Sequence, residues 1–182
     1  KALVWQFQAD IANNFTESTD RFESIRIDGE TYRANLSLRY GFGGKWEVGI
    51  DVPYIRHGPG QLDAFIEGFH GLFGLIQANR GDRPRNRLNY SYDSGVNALH
   101  LSKSVSGIGE VLLNLGYKVR DDDTRTWSVR AGVKLPTGDP GKLTGSGGTE
   151  VFVGLYFSQR AFLGNESLSF HGSLGALSMG NG

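Results

Sequence analysis

Apolar and polar residues alternate with a period of two along most of the chain, the signature of strands with one face apolar and one polar. From Leu3 the odd positions read Leu3, Trp5, Phe7, Ala9 and Ile11, with Gln6, Gln8 and Asp10 between them. Tyr32, Ala34, Leu36, Leu38, Tyr40 and Phe42 alternate with Arg33, Asn35, Ser37, Arg39 and Gly41. After Gly43-Gly44 the pattern resumes as Trp46, Val48, Ile50, Val52 and Tyr54 against Lys45, Glu47, Gly49 and Asp51. Val111, Leu113, Leu115, Tyr117 and Val119 lead through Asp121-Asp122-Asp123 to Trp127, Val129, Ala131, Val133 and Leu135. The other face of that pair carries Glu110, Asn114, Lys118, Ser128, Arg130 and Lys134. Val151 to Phe157 and Leu168 to Leu177 are two further candidates. The runs span about 10–12 residues, whereas soluble strands typically have about 5–6. At about 3.4 Å per residue and a tilt of about 40°, such a strand crosses an apolar band of about 25 Å.

The connections between runs have a rhythm. Tight ones at Gly43-Gly44 and at Asp121 to Thr124 alternate with long ones over 56–107 and 136–148. Short turns on one side and long loops on the other are the habit of outer-membrane barrels. The run 31–42 therefore descends, 45–55 rises, 108–120 descends and 125–135 rises. Ser24 to Asp28, Gly29 and Glu30 onward read as a hairpin with an Asp-Gly turn. Arg87 to Tyr92 and Val96 to Lys103 read as a second hairpin. Both are expected as extensions on the long-loop side. Leu62, Phe65, Ile66, Phe69, Leu72 and Phe73 recur at helical spacing and predict a helix over about 62–75. With Glu67 and His70 on its flank, that helix is a candidate cap or plug, or simply a way of folding the loop.

Composition narrows the class. Nineteen Lys plus Arg balance nineteen Asp plus Glu, so no net positive field points to nucleic acid. Cysteine is absent, as suits an envelope compartment. No stretch reaches the roughly 18 apolar residues of a membrane helix, but a membrane strand needs only about 9–11, half of them apolar. Twenty-seven glycines and 12% aromatics favour strands joined by tight turns. The aromatics Tyr40, Phe42, Trp46, Tyr117 and Trp127 gather around the tightest turns, where a membrane barrel has its girdle and a soluble barrel would place core aromatics. The fold expected is an all-β, transmembrane, antiparallel up-and-down barrel. It forms one domain over 1–182, with an insertion at 56–107 that holds the helix and a hairpin over about 87–103.

Several segments resemble an uncharacterised bacterial outer-membrane barrel family. They are Asp28-Gly29-Glu30-Thr31-Tyr32-Arg33, Leu38-Arg39-Tyr40-Gly41, Trp46-Glu47-Val48-Gly49 to Pro53-Tyr54, and Asp63 to His70 with Gly74-Leu75. Arg83-Pro84-Arg85, Ser106-Gly107-Ile108-Gly109-Glu110 and Lys134-Leu135-Pro136-Thr137-Gly138-Asp139 fit the same family. The shorter signature is similar to that of MetA-like outer-membrane barrels of phenol-degradation pathways. The resemblance implies an envelope protein made with a signal peptide, and uptake of small, poorly soluble molecules; it brings no catalytic residues. Lys1 leads almost directly into a strand, so the sequence reads as a mature chain or a fragment. About seven membrane strands are legible, and single-chain bacterial barrels have an even number of at least eight, so further strands are expected.

The leading expectation is an outer-membrane channel or binding protein for a small hydrophobic or amphipathic molecule. Arg39, Glu47, Asp51, Lys118, Arg130 and Lys134 line its interior, and lipid surrounds it. Arg80, Arg83, Arg85 and Arg87 form a basic stretch suited either to lipopolysaccharide phosphates or to local salt bridges. A metal site can be drawn from Asp63, Glu67 and His70 with His57, but a solvated helix face gives the same pattern, and no metal or cofactor is assigned. Two rival classes stand beside this reading. One is a soluble barrel with the Leu36 and Val129 face inward around an apolar ligand. The other is an outer-membrane lipid hydrolase using His100 with Ser102, or His171 with Ser169 or Ser173, although no Gly-x-Ser-x-Gly elbow occurs. Glycine-rich Thr144 to Gly148 lacks the lysine of a phosphate-binding loop and reads as flexible.

Overall fold

The structure, a computed structural model, describes residues 2–75 and 84–180. Its strands are β1 (Ala2–Thr19), β2 (Ser24–Phe42), β3 (Trp46–Gly58), β4 (Asn89–Asp93), β5 (Ala98–Leu101), β6 (Val105–Ile108), β7 (Leu112–Asp121), β8 (Arg125–Lys134), β9 (Glu150–Gln159) and β10 (Phe170–Met179). One α-helix, α1, covers Asp63–Phe73. The sheet runs β10-β9-β8-β7-β3-β2-β4-β5, with β1 on β2 and β6 on β3. The fold is thus all-β and predominantly antiparallel, with one short helix. Among the described residues the sheet is open: β1 pairs only with β2, and β10 only with β9. Two compact units divide the chain, one of Lys1–Gln8, Asn35–Pro53 and Ile108–Gly182, the other of Ala9–Ala34 and Tyr54–Gly107.

In the first unit the alternation predicted from sequence becomes a register. Trp46 stands opposite Tyr117, Tyr117 opposite Val129, Val129 opposite Leu155, and Leu155 opposite Leu174. One step along lies a row on the other face: Glu47, Gly116, Arg130, Gly154 and Gly175. A bulge between Lys118 and Arg120 breaks the β7–β8 register, so Val119 is an extra residue rather than the next member of the apolar file. Gly43 and Gly44 turn β2 into β3 with φ of +59° and +73°, a region that glycine enters without steric cost. At the β7–β8 turn, the Asp122 carboxylate accepts the N–H groups of Thr124 (3.2 Å) and Arg125 (2.7 Å).

In the second unit the Asp28-Gly29 hairpin expected from sequence does not form. β2 runs through it unbroken, and Ser24 to Asp28 pair with Asp93 to Asn89 of β4. Gly29 serves close packing instead: a Cβ there would come within 2.8 Å of Leu88 Cδ1 and 3.1 Å of the Gly58 carbonyl. The turn lies earlier, where the Asp20 carboxylate accepts the N–H groups of Phe22 (2.7 Å) and Glu23 (2.9 Å). These bonds hold the Asp20 carboxyl below its usual value. The second predicted hairpin is present as β4 and β5. Leu88, Tyr90 and Leu101 are the buried hydrophobic residues among those described, and all three belong to this unit.

Candidate functional site

The polar face of the first unit is a ladder of ion pairs carried on successive strands. The two terminal nitrogens and Nε of an arginine form a fork that matches a carboxylate. Here Arg39 Nη2 reaches both oxygens of Asp51, at 2.9 and 2.8 Å. Ser37 and Asn114 also donate to Asp51. Arg130 bonds Glu47 at 2.9 Å, and Lys118 bonds Asp121 at 2.7 Å. Lys134 lies between Glu110, at 2.6 Å, and Glu150. Four of the six residues predicted to line an interior are therefore paired with one another, and the other two with neighbouring acids. Glycines make room for these side chains. A Cβ on Gly49 would overlap Arg39, one on Gly132 would overlap the Phe152 ring, and one on Gly154 would touch the Tyr156 ring.

The opposite face is apolar and open. Leu115 is 44% exposed and Val153 50%, while the side chains of Arg39 and Lys134 on the polar face are 24% and 18% exposed. Aromatic rings line one end of the apolar face, beside the short turns. Tyr40 stacks on Phe42, Trp46 meets Tyr117 at 4.5 Å between centroids, and Trp127 meets Phe157 at 4.5 Å. Phe170 continues the row, 6.0 Å from Phe157 and 5.2 Å from Phe162. Of this row, Phe157, Phe162 and Phe170 were not singled out from sequence, because what brings Phe157 beside Trp127 is the β8–β9 register.

The residues predicted around the helix are dispersed into local contacts. Gly74 ends α1 in the left-handed conformation (φ +64°), and Phe65, Phe69 and Phe73 lie along one exposed stripe. Glu67 holds Arg85, which pushes the guanidinium's pKa further up. Arg87 faces Asp28 at 3.5 Å. Arg80 and Arg83 lie outside the described residues. Asp63 accepts from Asn13 (3.0 Å) and from the N–H of Asn86 (2.8 Å), and Thr31 bonds His57 Nδ1 at 2.9 Å. His70 Nδ1 is shielded and has no hydrogen-bond partner among the described residues. Among the described residues no three His, Cys, Asp or Glu side chains come together to hold a metal.

Residues 2–182 match the family described as "Protein of unknown function (DUF3187)". The chain belongs to the DUF3187 family. No curated protein matches it. In this DUF3187 chain, two segments far apart in sequence prove to be one piece of structure. Glu110 accepts from Ser146 N (2.6 Å), Ser146 Oγ (2.7 Å) and Gly147 N (3.2 Å), while Lys134 reaches Ser146 Oγ at 3.1 Å. Thr137 Oγ1 donates to the Gly109 carbonyl at 2.6 Å and accepts from Val111 N at 2.9 Å. The segment 144–148, expected as a flexible loop, is tied to Glu110 through the N–H groups of Ser146 and Gly147.

Two other features of the DUF3187 chain concern histidine and a buried acid. No hydrogen bond among the described residues joins His100 to Ser102, or His171 to Ser169 or Ser173. In the sequence Glu30 has no role beyond its place in the Asp28-to-Arg33 segment; in the structure it is 0% exposed. Its carboxylate accepts from Gln61 N (2.9 Å), Leu62 N (2.6 Å) and the Tyr32 hydroxyl, and so satisfies the N–H of the N-cap residue of α1, which has no side-chain cap of its own. A Cβ on Gly60 would overlap it. The capping partner sits some thirty residues upstream, too far for any local cap pattern to reveal.

Proposed function

We propose that this protein is an outer-membrane β-barrel that passes or binds a small molecule along its polar face. The aromatic row at one end of an uncovered apolar face carries the reading, because tyrosine and tryptophan collect where hydrocarbon meets headgroups. On β3 the apolar file from Trp46 to Tyr54 has an aromatic residue at both ends. Those eight steps measure about 27 Å along the strand, or about 21 Å across a bilayer at a tilt of about 40°, close to the apolar band of such barrels.

The placement of small residues favours a polar interior over an apolar one. Side chains converge on the inner face of a curling sheet, so small residues belong there beside large ones. Gly49, Gly116, Gly132, Gly154 and Gly175 all lie on the polar face, which is also the more sheltered of the two. Closure of the sheet is part of the proposal. β10 carries no lysine, carboxylate or proline, so this edge lacks the usual protection against pairing with another strand.

The test is envelope fractionation of the native protein, followed by gels of unheated and boiled samples. A carbonate-resistant outer-membrane band that shifts on boiling supports the proposal. A soluble protein without a heat shift contradicts it.

A further inference from the structure

We infer that the polar face near the short turns is a binding strip for a small, hydroxylated anion, that is, a polyol bearing a carboxylate or phosphate. This rests on the barrel reading and deepens it by naming the solute.

Two adjoining clefts of about 410 and 360 Å³ form the strip, and both are lined by Thr126 and Ser128. The first holds three cations, Lys45, Lys118 and Arg130, against one carboxylate, Glu47. Arg130 is engaged by Glu47 and Lys118 by Asp121, while Lys45 has no ion pair among the described residues. An ammonium in a cleft of net positive charge attracts an anion, and the neighbouring guanidinium and serine supply further donors. Gly41 and Gly116 line this cleft beside the rings of Phe42, Trp46 and Tyr117.

The second cleft has a different chemistry. Tyr156, Ser158, His171 and Ser173 line it, with Ser128 at the shared border. None of these side chains makes a hydrogen bond to another described residue. Such hydroxyls and imidazole nitrogens can both donate and accept, which matches the hydroxyl groups of a polyol. An alkyl chain in the same place would desolvate these groups without replacing their bonds to water. The strip therefore favours a hydrophilic anion over the poorly soluble solute that the sequence resemblance implies.

The test is calorimetric titration of the protein folded in amine-oxide micelles, using a preparation first shown to be heat-modifiable on gels. The probes are gluconate, glucose 6-phosphate, glucose and hexanoate. The inference expects one or both anionic polyols to bind, and to bind more tightly than glucose or hexanoate. Which of the two binds better separates a carboxylate from a phosphate ligand. Lys45→Gln should weaken binding about tenfold, the size of one lost charge-assisted bond, and Ser173→Ala should weaken it by less. Hexanoate binding as well as gluconate, an absence of binding by heat-modifiable protein, or affinity unchanged by both substitutions would overturn it. A preparation without a heat shift would instead remove the barrel reading, and this inference with it.

Discussion

Glycine on the polar face is where single residues decide most about the sheet. At Gly132 a Cβ would overlap the Phe152 ring and lie 2.7 Å from the Leu113 carbonyl, so an added methyl has to move backbone as well as side chain. At Gly116 the nearest atoms would be the Arg130 and Glu47 side chains at 3.6 Å, ordinary contact. Gly132→Ala should therefore cost about 1–3 kcal/mol, the usual range for overpacking. Gly116→Ala should stay within about 0.5 kcal/mol, as a change that disturbs no contact does. Reversible urea unfolding from lipid vesicles measures both, and equal costs would show that the ring and arginine do not lie over these glycines. The sequence displays such glycines only as gaps in a polar file. Which side chain covers each one depends on the partner strand, so the pairing of Gly132 with Phe152 was illegible while the alternation around it was plain.

At the scale of elements, a carboxylate between β6 and β7 holds a long connection in place. Glu110 binds Ser146 N and Gly147 N, so Glu110→Ala should free the 135–149 connection and hasten tryptic cleavage after Lys142, with the heat shift of the protein retained. Unchanged cleavage would mean that Thr137 and Asp139 suffice to hold it. The β7–β8 turn adds a pH dependence. The Arg125 N–H, ahead of those of Thr124 and the Arg120 side chain, holds the Asp122 carboxyl below its usual value. A depressed carboxyl stabilises the fold above its unfolded value and ceases to do so as pH falls through the folded one. The urea midpoint should begin to drop as the pH passes below about 4, and drop less in Asp122→Asn. An identical acid profile in both proteins would show that the turn contributes nothing. These elements also mark how far the sequence could be read. β3, β7 to β10, α1 and the β4–β5 hairpin follow from local periodicity to within a few residues, whereas β1 runs on from Ile11 to Thr19, β2 is one strand in place of two, and β6 was not anticipated. Asp28-Gly29 misled because its turn chemistry is local while its pairing with Asn89 and its packing on Leu88 are not. Asp20, the residue that does make the turn, offers the same kind of local signal.

For the whole molecule, the issue is whether the apolar face of the sheet meets lipid, as the proposed barrel requires. Alternation alone allows either face; the aromatics at the tight turns led the sequence reading to place the apolar face against lipid. The interior residues expected from it are now joined into ion pairs on one face, and the aromatic row follows the other. A charge at Val129, on the apolar face between Tyr117 and Leu155, should cost about 2–4 kcal/mol if that position lies near mid-membrane, and leave the Arg130–Glu47 pair in place. The neighbouring positions 129 and 130 point to opposite faces, so they form the most direct test. Single cysteines at Val129 and Arg130, each carrying a fluorophore, are to be compared in vesicles containing a quencher bound to the lipid acyl chains. Strong quenching at 129 with little at 130 is the result expected of a lipid-facing apolar side. Quenching at 130 with protection at 129 would turn the barrel inside out and make the apolar face its core.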